Sequence, residues 1–155
     1  MTPFLVETSL VSMAVTAASD AVTRIHLGAR APRPAVAPLE RLIAHELAEY
    51  FEGTRTRFTV PMTPEGTAFQ LGVWNALEQI PYGETRTYGD IAKAVGNPGA
   101  SRAVGMANHH NPIPIMIPCH RVVATGGKLG GFGGGVDLKQ RLLQLEAEHS
   151  ALFAR

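Results

Sequence analysis

Apolar and polar residues at the start of the chain follow a pattern that is typical of strands. Residues 4–15 and 22–27 are rich in valine, threonine, isoleucine and leucine, and the interval 17–20 between them suits a hairpin connection. We therefore predict two antiparallel strands here. A further short strand is predicted at residues 56–60, before a segment with the composition of a linker.

Two segments carry apolar residues at the spacing of a helix instead. Residues 39–51 do so and are followed by Gly53, which predicts an amphipathic helix that ends at this glycine. A second helix is predicted to begin near Thr67 and to end before Pro81. The apolar stripe of this second helix, which most simply faces the core, consists of Phe69, Val73, Trp74 and Leu77.

Two short helices are predicted in the middle of the chain. Thr87 can cap a helix that extends to residue 95, residues 96–99 form a turn, and residues 100–108 form the second helix. Such a pair resembles a helix-turn-helix, although helical hairpins are common and the pattern alone is weak. The small residues of the second helix fit either close approach to a partner or tight packing inside the protein.

The last part of the chain surrounds its only cysteine. Residues 113–117 are an apolar run interrupted by proline, and they predict a buried strand or extended segment that leads to Cys119. Residues 126–135 are rich in glycine but match no phosphate-binding signature, so they favour close approach of the backbone to a ligand. Asp137 is predicted to cap a final helix, which carries Glu146 near its end.

Composition narrows the class of protein. The chain has 155 residues, of which 45% are hydrophobic and 17% charged, as in a globular protein, and its net charge of +1 does not indicate a nucleic-acid partner. One cysteine excludes an internal disulfide, and six histidines without zinc spacing support no structural metal site. The apolar first segment lacks the basic region of a signal peptide and is too short to span a membrane. We therefore expect a cytoplasmic protein.

Cys119 allows two interpretations. A lone cysteine is most often a small buried hydrophobic residue. It becomes a nucleophile only as the thiolate, and a free thiol with a pKa of about 8.5 supplies little thiolate at neutral pH unless a base or a cation assists. His120 and Arg121 are suggestive neighbours. On an extended chain, however, adjacent side chains point to opposite faces, so His120 would reach the sulfur only across a bend or through a water.

Several motifs follow one another at compatible spacing across residues 67–149. They are Tyr82-Gly83-Glu84-Thr85, Thr87-Tyr88, Gly96-Asn97-Pro98, Ser101-Arg102-Ala103-Val104-Gly105, Asn111-Pro112-Ile113-Pro114-Ile115, Pro118-Cys119-His120-Arg121-Val122, the glycine-rich loop, and Leu142-Leu143 with Leu145-Glu146. Together they resemble the O6-alkylguanine-DNA alkyltransferases, or methylated-DNA–protein-cysteine methyltransferases. The resemblance implies direct reversal of DNA damage, in which an alkylated guanine is flipped out of the duplex and its alkyl group passes irreversibly to a cysteine.

The resemblance also implies the catalytic roles. Cys119 would accept the alkyl group, His120 would be its base through a bridging water, and Glu146 would orient His120. Tyr88 would donate a proton toward guanine N3 as the base leaves and would crowd the backbone phosphate. Asn111 would act as a hinge that ties the second short helix to the cysteine segment.

For DNA binding, the resemblance implies that the second short helix lies in the minor groove, where readout is poor in sequence information. Arg102 would enter the base stack and fill the place of the flipped nucleotide. The other residues implied to face DNA are Tyr88, Ala100, Ser101, Ala103 and Gly105. The residues implied to line the alkylguanine pocket are Val122, Leu129, Phe132 and Gly133.

The implied fold is α/β. A small N-terminal ribonuclease-H-like α/β domain, over residues 1–62, would precede a mainly helical domain with a helix-turn-helix, over residues 63–155. The N-terminal part resembles the family less closely, and we expect it to be abbreviated.

The implied partner is double-stranded DNA that contains O6-alkylguanine, with O4-alkylthymine as a second candidate lesion. We expect a monomer without cofactor, metal or membrane contact, associated with the nucleoid if the source is bacterial. The alternative is a non-catalytic sensor of alkylated DNA, but such proteins lack the acceptor cysteine and Cys119 is present. A cysteine hydrolase or a transcription regulator would explain fewer of the motifs.

Overall fold

The computed structural model describes residues 2–132 and 134–153. It begins with a three-stranded antiparallel sheet in the order β1-β2-β3, formed by β1 (Phe4–Glu7), β2 (Ser12–Ala18) and β3 (Ala21–Leu27). The expected hairpin between β2 and β3 is present. The expectation of one strand over residues 4–15 was wrong, because this stretch contains both β1 and β2.

The turn that separates β1 from β2 is held by a threonine side chain. Thr8 Oγ1 donates to the carbonyl of Val11 over 2.7 Å and accepts from the Val11 amide over 3.1 Å. These bonds give the backbone an alternative to the strand ladder, as serine and threonine hydroxyls often do in turns. The chain therefore reverses without glycine or proline.

Helix α1 (Pro38–Phe51) matches the first predicted helix, and Gly53 follows its end with a φ of 81°. The strand expected at residues 56–60 is absent from the described structure, where this segment is irregular. Its backbone is bonded to a side chain instead of a neighbouring strand, because the amide of Thr59 donates to Glu46 Oε1 over 2.8 Å.

Helices α2 (Ala68–Glu78), α3 (Tyr88–Ala94) and α4 (Ser101–His109) confirm the next three predicted helices. Thr67 and Thr87 cap α2 and α3, each accepting a hydrogen bond over 3.1 Å from the third residue of its helix. Phe69 is an exception to the predicted apolar stripe of α2, since it is 37% exposed.

The segment before the cysteine is a compact turn, so the expectation of a strand or extended segment over residues 113–117 was wrong. The amide of Ile117 donates to the carbonyl of Ile113 over 2.9 Å, and Ile115 adopts a φ of 74°, a region that β-branched residues rarely occupy. The segment is buried, as expected from its composition.

The chain then forms a 3₁₀ turn over Cys119–Arg121 and strand β5 (Val122–Val123), which pairs in parallel with β4 (Arg86–Thr87). The final helix, α5, spans Val136–Phe153. Asp137 lies inside its first turn, not at the capping position that we predicted.

One continuous hydrophobic core joins both parts of the chain. It includes side chains from the sheet, α1, α2, α4, the segment before the cysteine and α5. The two parts also meet through their backbones, since the amide of Ile25 in β3 donates to the carbonyl of Pro112 over 2.9 Å. The cysteine segment thus lies between the N-terminal sheet and the C-terminal helices.

Residues 2–132 and 134–153 contain neither a candidate membrane span nor a candidate metal site. No helix there is long and apolar enough to cross a membrane. No group of three or more histidine, cysteine, aspartate or glutamate side chains there is placed to hold a metal ion.

Candidate active site around Cys119

Cys119 begins the 3₁₀ turn and is buried, with 4% of its surface exposed. The turn is fixed by two backbone hydrogen bonds, from the Cys119 amide to Ile117 over 2.8 Å and from the Arg121 amide to Pro118 over 3.0 Å. Burial raises the pKa of the Cys119 thiol to about 11, against the opposing effects of a hydrogen bond from Asn111 and the charge of Lys139. The resting group at neutral pH is therefore the thiol, and its use as a nucleophile requires a base.

Asn111 connects the end of α4 to the cysteine segment. Its Nδ2 donates to the carbonyl of Ile117 over 2.8 Å, and its Oδ1 accepts from the amide of Ile113 over 3.0 Å. The side chain also hydrogen-bonds the Cys119 thiol. The structure thus brings Asn111 to the sulfur and ties it to the backbone of the cysteine segment, while its role as a hinge stays a prediction.

Asn108, which the sequence analysis missed, is a second amide that contacts the cysteine segment. It is buried, with 5% exposure, and its Nδ2 donates to the carbonyl of Cys119 over 3.3 Å. The signal in the sequence was an amide at the buried face of α4, next to Val104 and Ala107, since buried amides require hydrogen-bond partners.

His120 and Glu146 form a buried pair. The Nε2 of His120 lies 2.7 Å from Oε2 of Glu146, and both side chains are at most 1% exposed. Burial lowers the pKa of His120 despite the carboxylate. Burial alone would raise the pKa of Glu146, but the hydrogen bond from His120, together with the hydrogen bonds and the charge of Arg121, holds it well below its usual value.

These shifts describe a neutral imidazole beside an ionised carboxylate. A carboxylate can only accept, so Nε2 carries the proton and donates it to Glu146, and Nδ1 is left as an acceptor. Nδ1 is buried and has no hydrogen-bond partner among the described protein groups. His120 therefore has one nitrogen oriented by Glu146 and one nitrogen able to receive a proton.

Three further groups donate to Glu146. The Tyr50 hydroxyl donates to Oε2 over 2.6 Å, and the Gly83 amide donates to Oε1 over 3.2 Å. Arg121 donates twice, from Nε to Oε1 over 2.8 Å and from Nη2 to Oε2 over 3.0 Å. Glu146 is thus the common acceptor of a network that spans α1, the segment after α2, the cysteine turn and α5.

A buried lysine occupies the same region. Lys139 is 0% exposed, and its Nζ donates to the carbonyls of Val122 over 2.6 Å and Gly131 over 3.2 Å. Burial lowers its pKa, while the charge of Cys119 acts in the opposite direction. Lys139 therefore links the strand after the cysteine to the glycine-rich loop and favours the thiolate.

Sequence reasoning missed Tyr50 and Lys139 as well as Asn108. Lys139 lies three positions before Leu142 and seven positions before Glu146, a spacing that places all three on one face of a helix. A lysine on that face was a visible signal. Tyr50 lies with Ile43 and Leu47 on the apolar stripe of α1, and a tyrosine on that stripe was a signal too, because a buried tyrosine hydroxyl needs a partner.

Tyr88 begins α3 and lies under the glycine-rich loop. Burial and the nearby charge of Cys119 raise the pKa of its hydroxyl, while a hydrogen bond from the Gly131 backbone acts against them. Gly130 has a φ of 72°, and a Cβ there would lie 2.7 Å from the Tyr88 hydroxyl oxygen. A Cβ on Gly105 of α4 would lie 3.9 Å from the ring. The loop and α4 thus enclose the Tyr88 ring.

The predicted pocket residues differ in how far they are buried. Val122 is buried and Leu129 is half-buried. Phe132 is half-buried and meets the ring of His120 edge to face, with 6.5 Å between the ring centres. Gly133 lies outside the described residues.

The predicted DNA-facing residues of α4 lie on a different surface from the buried cluster. Ser101, Arg102 and Ala103 are exposed, whereas Ala100 and Gly105 are partly buried. Arg102 is therefore open to solvent on α4. The indole of Trp74 links α2 to α4, because its Nε1 donates to the carbonyl of Ala107 over 2.8 Å.

Cys119 is thus a buried thiol in the same short turn as an imidazole that Glu146 orients, an arrangement typical of proteins that use a cysteine nucleophile. Comparison with protein families gives a match over residues 68–148 to the DNA-binding domain of 6-O-methylguanine DNA methyltransferase. The chain belongs to this family.

Individual relatives agree with this result. The chain is 58% identical over 106 residues to a methylated-DNA–protein-cysteine methyltransferase of Methanosarcina acetivorans, an alignment that covers 68% of each chain. It is 57% identical over 105 residues to the protein of that name from Mycolicibacterium paratuberculosis, which covers 68% of this chain and 64% of the relative.

A solved structure extends the likeness to nearly the whole chain. The Mycobacterium tuberculosis protein OGT, crystallised in complex with DNA, superposes with a TM-score of 0.87 at 40% identity, over 95% of this chain and 93% of that one. The α/β architecture, with its small sheet and helices α1 to α5, is therefore that of a family member whose structure is known.

Proposed function

We propose that this protein repairs alkylated DNA by moving the alkyl group from O6 of guanine to Cys119, once per molecule. The observation that carries the proposal is the buried Cys119 thiol with the His120–Glu146 pair, found within a chain that is 57–58% identical to relatives named methylated-DNA–protein-cysteine methyltransferases. The enzyme is thus a stoichiometric methylated-DNA–protein-cysteine S-methyltransferase.

The reaction is a displacement at the alkyl carbon. The Cys119 thiol gives up its proton, the sulfur forms a bond to the carbon, and the bond between that carbon and guanine O6 breaks. The electron pair of the broken bond stays on guanine, which takes up one proton. The products are a cysteine thioether and unmodified guanine, so no cofactor is consumed. Positioning of sulfur, carbon and O6 in line supplies much of the acceleration.

His120 is the base in this scheme. Because Glu146 fixes the proton on Nε2, Nδ1 is free to accept the thiol proton, through a water where the two groups do not touch. The resulting imidazolium is stabilised by the ionised carboxylate, as in other triads of nucleophile, base and orienting group. The thiolate is stabilised by the hydrogen bond from Asn111 and the charge of Lys139.

Tyr88 is the proton donor to the leaving guanine. The raised pKa of its hydroxyl keeps it protonated at neutral pH, and it stands near the cysteine, under the glycine-rich loop. Its direction toward guanine N3 is an expectation from the family. Val122, Leu129, Phe132 and Gly133 would line the pocket that receives the flipped base.

Helices α3 and α4 act as a helix-turn-helix in this proposal, with α4 in the minor groove of double-stranded DNA. Arg102 is exposed on α4 and would occupy the space of the flipped guanine, while Ser101 and Ala103 would contact the groove. The partly buried Ala100 and Gly105 would allow close approach. The M. tuberculosis relative forms a complex with DNA, which supports a duplex as the partner.

The N-terminal residues 1–62 form a ribonuclease-H-like α/β domain in our proposal, and residues 63–155 form the DNA-binding and transfer domain. The antiparallel sheet followed by α1 is consistent with an abbreviated form of such a unit. The continuous core across the proposed boundary means that the two proposed domains pack against each other.

The proposal is tested by incubating the protein with a duplex that contains one O6-methylguanine and measuring the intact protein mass. We expect a gain of one methyl group on Cys119, and no gain in Cys119→Ser. Binding of the lesion without any gain in mass would favour the non-catalytic sensor. The presence of Cys119 already argues against that alternative.

A further inference from the structure

The N-terminal part of the chain supplies one hydrogen bond to the proposed catalytic network. Tyr50 lies in α1, outside the residues 68–148 that match the family's DNA-binding domain. It is 0% exposed, and its hydroxyl donates to Oε2 of Glu146 over 2.6 Å. The same hydroxyl lies 3.3 Å from Nε2 of His120.

Tyr50 and His120 share one carboxylate oxygen, which also accepts from Nη2 of Arg121 over 3.0 Å. The positive charges of Arg121 and Lys139 also act on His120 and lower its pKa, and the substitutions at Tyr50 leave both groups in place. His120 Nε2 is 2.7 Å from Oε2, the atom that also accepts from Tyr50. Burial raises the pKa of the Tyr50 hydroxyl well above its usual value, so it remains protonated and acts only as a donor in this contact. The hydroxyl therefore competes with His120 for the negative charge of Oε2 and limits the rotation of the carboxylate.

We propose that Tyr50 is a positioning residue for alkyl transfer, which acts through Glu146 on the orientation and basicity of His120. This inference rests on the proposed transfer to Cys119. It assigns the N-terminal part of the chain an indirect role in the reaction, because the hydroxyl comes from α1 and the carboxylate from α5. Tyr50 does not touch the reacting atoms, so it is not a catalytic residue.

Removal of the hydroxyl should change both the rate and its pH dependence. In Tyr50→Phe the carboxylate has one donor fewer, so more of its charge is available to stabilise protonated His120. The His120 pKa should rise, and the acidic limb of the pH profile should move to higher pH, because transfer needs neutral His120. We also expect transfer at the plateau to slow about tenfold, the equivalent of about 1.4 kcal/mol and the scale of one hydrogen bond to a charged group.

The experiment is a single-turnover measurement of methyl transfer from duplex DNA between pH 5 and 9, on the full chain, with the thermal midpoint recorded for every variant. Phe51→Leu is the matched control, because Phe51 is the neighbouring residue and its ring packs edge to face on Tyr50 at 5.1 Å between centres. It should lower the thermal midpoint and leave the pH profile in place. An unchanged rate and profile in Tyr50→Phe would overturn the inference.

A double-mutant cycle tests the route through Glu146. In a Glu146→Gln background, Tyr50→Phe should slow transfer by no more than about twofold, because the charge on which the hydroxyl acts is gone. A full tenfold loss in that background would contradict the inference. If the unaltered chain transfers no methyl group, the proposed function fails and this inference fails with it. If the unaltered chain transfers the methyl group and Tyr50→Phe changes neither the rate nor the pH profile, only this inference is overturned.

A measurement on the unaltered protein covers the case in which Tyr50→Phe does not fold. Nuclear magnetic resonance of the histidine-labelled chain should show the His120 proton on Nε2. It should also show a Tyr50 hydroxyl proton that exchanges slowly with solvent and lies close to the imidazole. A rapidly exchanging hydroxyl, or a proton on Nδ1, would count against the shared oxygen.

Discussion

Arg121 and Glu146 form a two-point contact inside the protein, with 2.8 Å between Nε and Oε1 and 3.0 Å between Nη2 and Oε2. The arginine is 8% and the glutamate 1% exposed in their side chains. Arg121→Leu leaves a buried carboxylate with fewer donors, and we expect the free energy of unfolding to fall by about 3–5 kcal/mol. Urea denaturation followed by circular dichroism measures this loss.

The control for Arg121 is an exposed ion pair on the same chain. Arg86 lies 3.1 Å from Glu84, and these side chains are 39% and 53% exposed. Arg86→Leu should change the free energy of unfolding by less than about 1 kcal/mol, because exposed pairs are screened by solvent. Equal losses in the two variants would show that burial does not determine the strength of the Arg121 contact.

A second prediction concerns acid stability at the start of α1. The hydrogen bonds of Arg33 to Glu40, over 2.9 and 2.7 Å, lower the pKa of Glu40 to about 2. In the unfolded chain a glutamate titrates at about 4.3. The contact therefore stabilises the folded state above about pH 4.3 and is lost as the pH falls toward 2. Glu40→Gln should lower the thermal midpoint by about 2–4 °C at neutral pH.

The difference between Glu40→Gln and the unaltered chain should vanish as the pH approaches 2, and calorimetry across this range measures it. Glu52→Gln is the matched control, because Glu52 is an exposed glutamate just after the other end of the same helix. Its melting curve should run parallel to that of the unaltered chain. A Glu40→Gln deficit that persists unchanged at pH 2 would be incompatible with titration of Glu40.

A third prediction separates backbone strain from crowding in the glycine-rich loop. Gly130 and Gly126 have φ values of 72° and 84°, so alanine at either position suffers a similar backbone penalty of about 1–2 kcal/mol. Only at position 130 does the new Cβ meet Tyr88, at 2.7 Å from its hydroxyl oxygen; at position 126 no atom lies within 4 Å. Gly130→Ala should therefore slow transfer about tenfold relative to Gly126→Ala, because displacement of a reacting group is costly. Single-turnover kinetics decides the point, and equal rates would mean that Tyr88 is not constrained by the loop.

A fourth prediction concerns Arg102. If this side chain fills the space of the flipped base, Arg102→Ala should slow transfer from duplex DNA by about ten- to a hundredfold, since a few kcal/mol of unstacking is no longer offset. Transfer from a free O6-alkylguanine base should be much less affected. Arg24→Ala, at an exposed arginine of β3, is the control and should alter neither rate. If Arg102→Ala slows transfer from duplex DNA and from the free base equally, the proposed intercalating role of Arg102 is contradicted.

Local signals in the sequence were sufficient for the helices. Thr67 and Thr87 each cap a helix through a residue three positions away, Gln70 and Asp90, so the start of α2 and of α3 depends on neighbours in sequence. The family motifs likewise pointed to His120 and Glu146, which the structure brings together, and to Cys119 in the same turn, while their catalytic roles stay predictions. These features could be predicted because each is encoded within a short segment.

Two of the errors in strand prediction arose where a side chain replaces the expected backbone pairing. Thr8 reverses the chain between β1 and β2, and Glu46 binds the backbone of Thr59 where a strand was expected. The third error has a different cause, because the backbone of Ile113 and Ile117 closes a turn that composition alone could not distinguish from a strand.

The missed site residues have the same origin. Tyr50 meets Glu146 from 96 positions away, and Lys139 meets Val122 from 17 positions away. Tyr50 lies among the apolar residues of its helix, and Lys139 lies on the same face as Leu142. The apolar pattern of each helix was therefore predicted correctly, but it did not show that the hydroxyl of Tyr50 and the ammonium of Lys139 make polar contacts.

Helix α5 carries both Lys139 and Glu146 and follows the cysteine turn in the chain, so it is synthesised after Cys119. Until it emerges, His120 has no carboxylate, Arg121 has no counter-ion, and the carbonyl of Val122 lacks its ammonium donor. Tyr50 is synthesised earlier, and its hydroxyl likewise has no Glu146 carboxylate to donate to until α5 is present. The buried cluster around Cys119 is therefore complete only once α5 has been synthesised, and a nascent chain that stops before α5 contains the cysteine without the carboxylate and the ammonium that lie beside it in the folded protein.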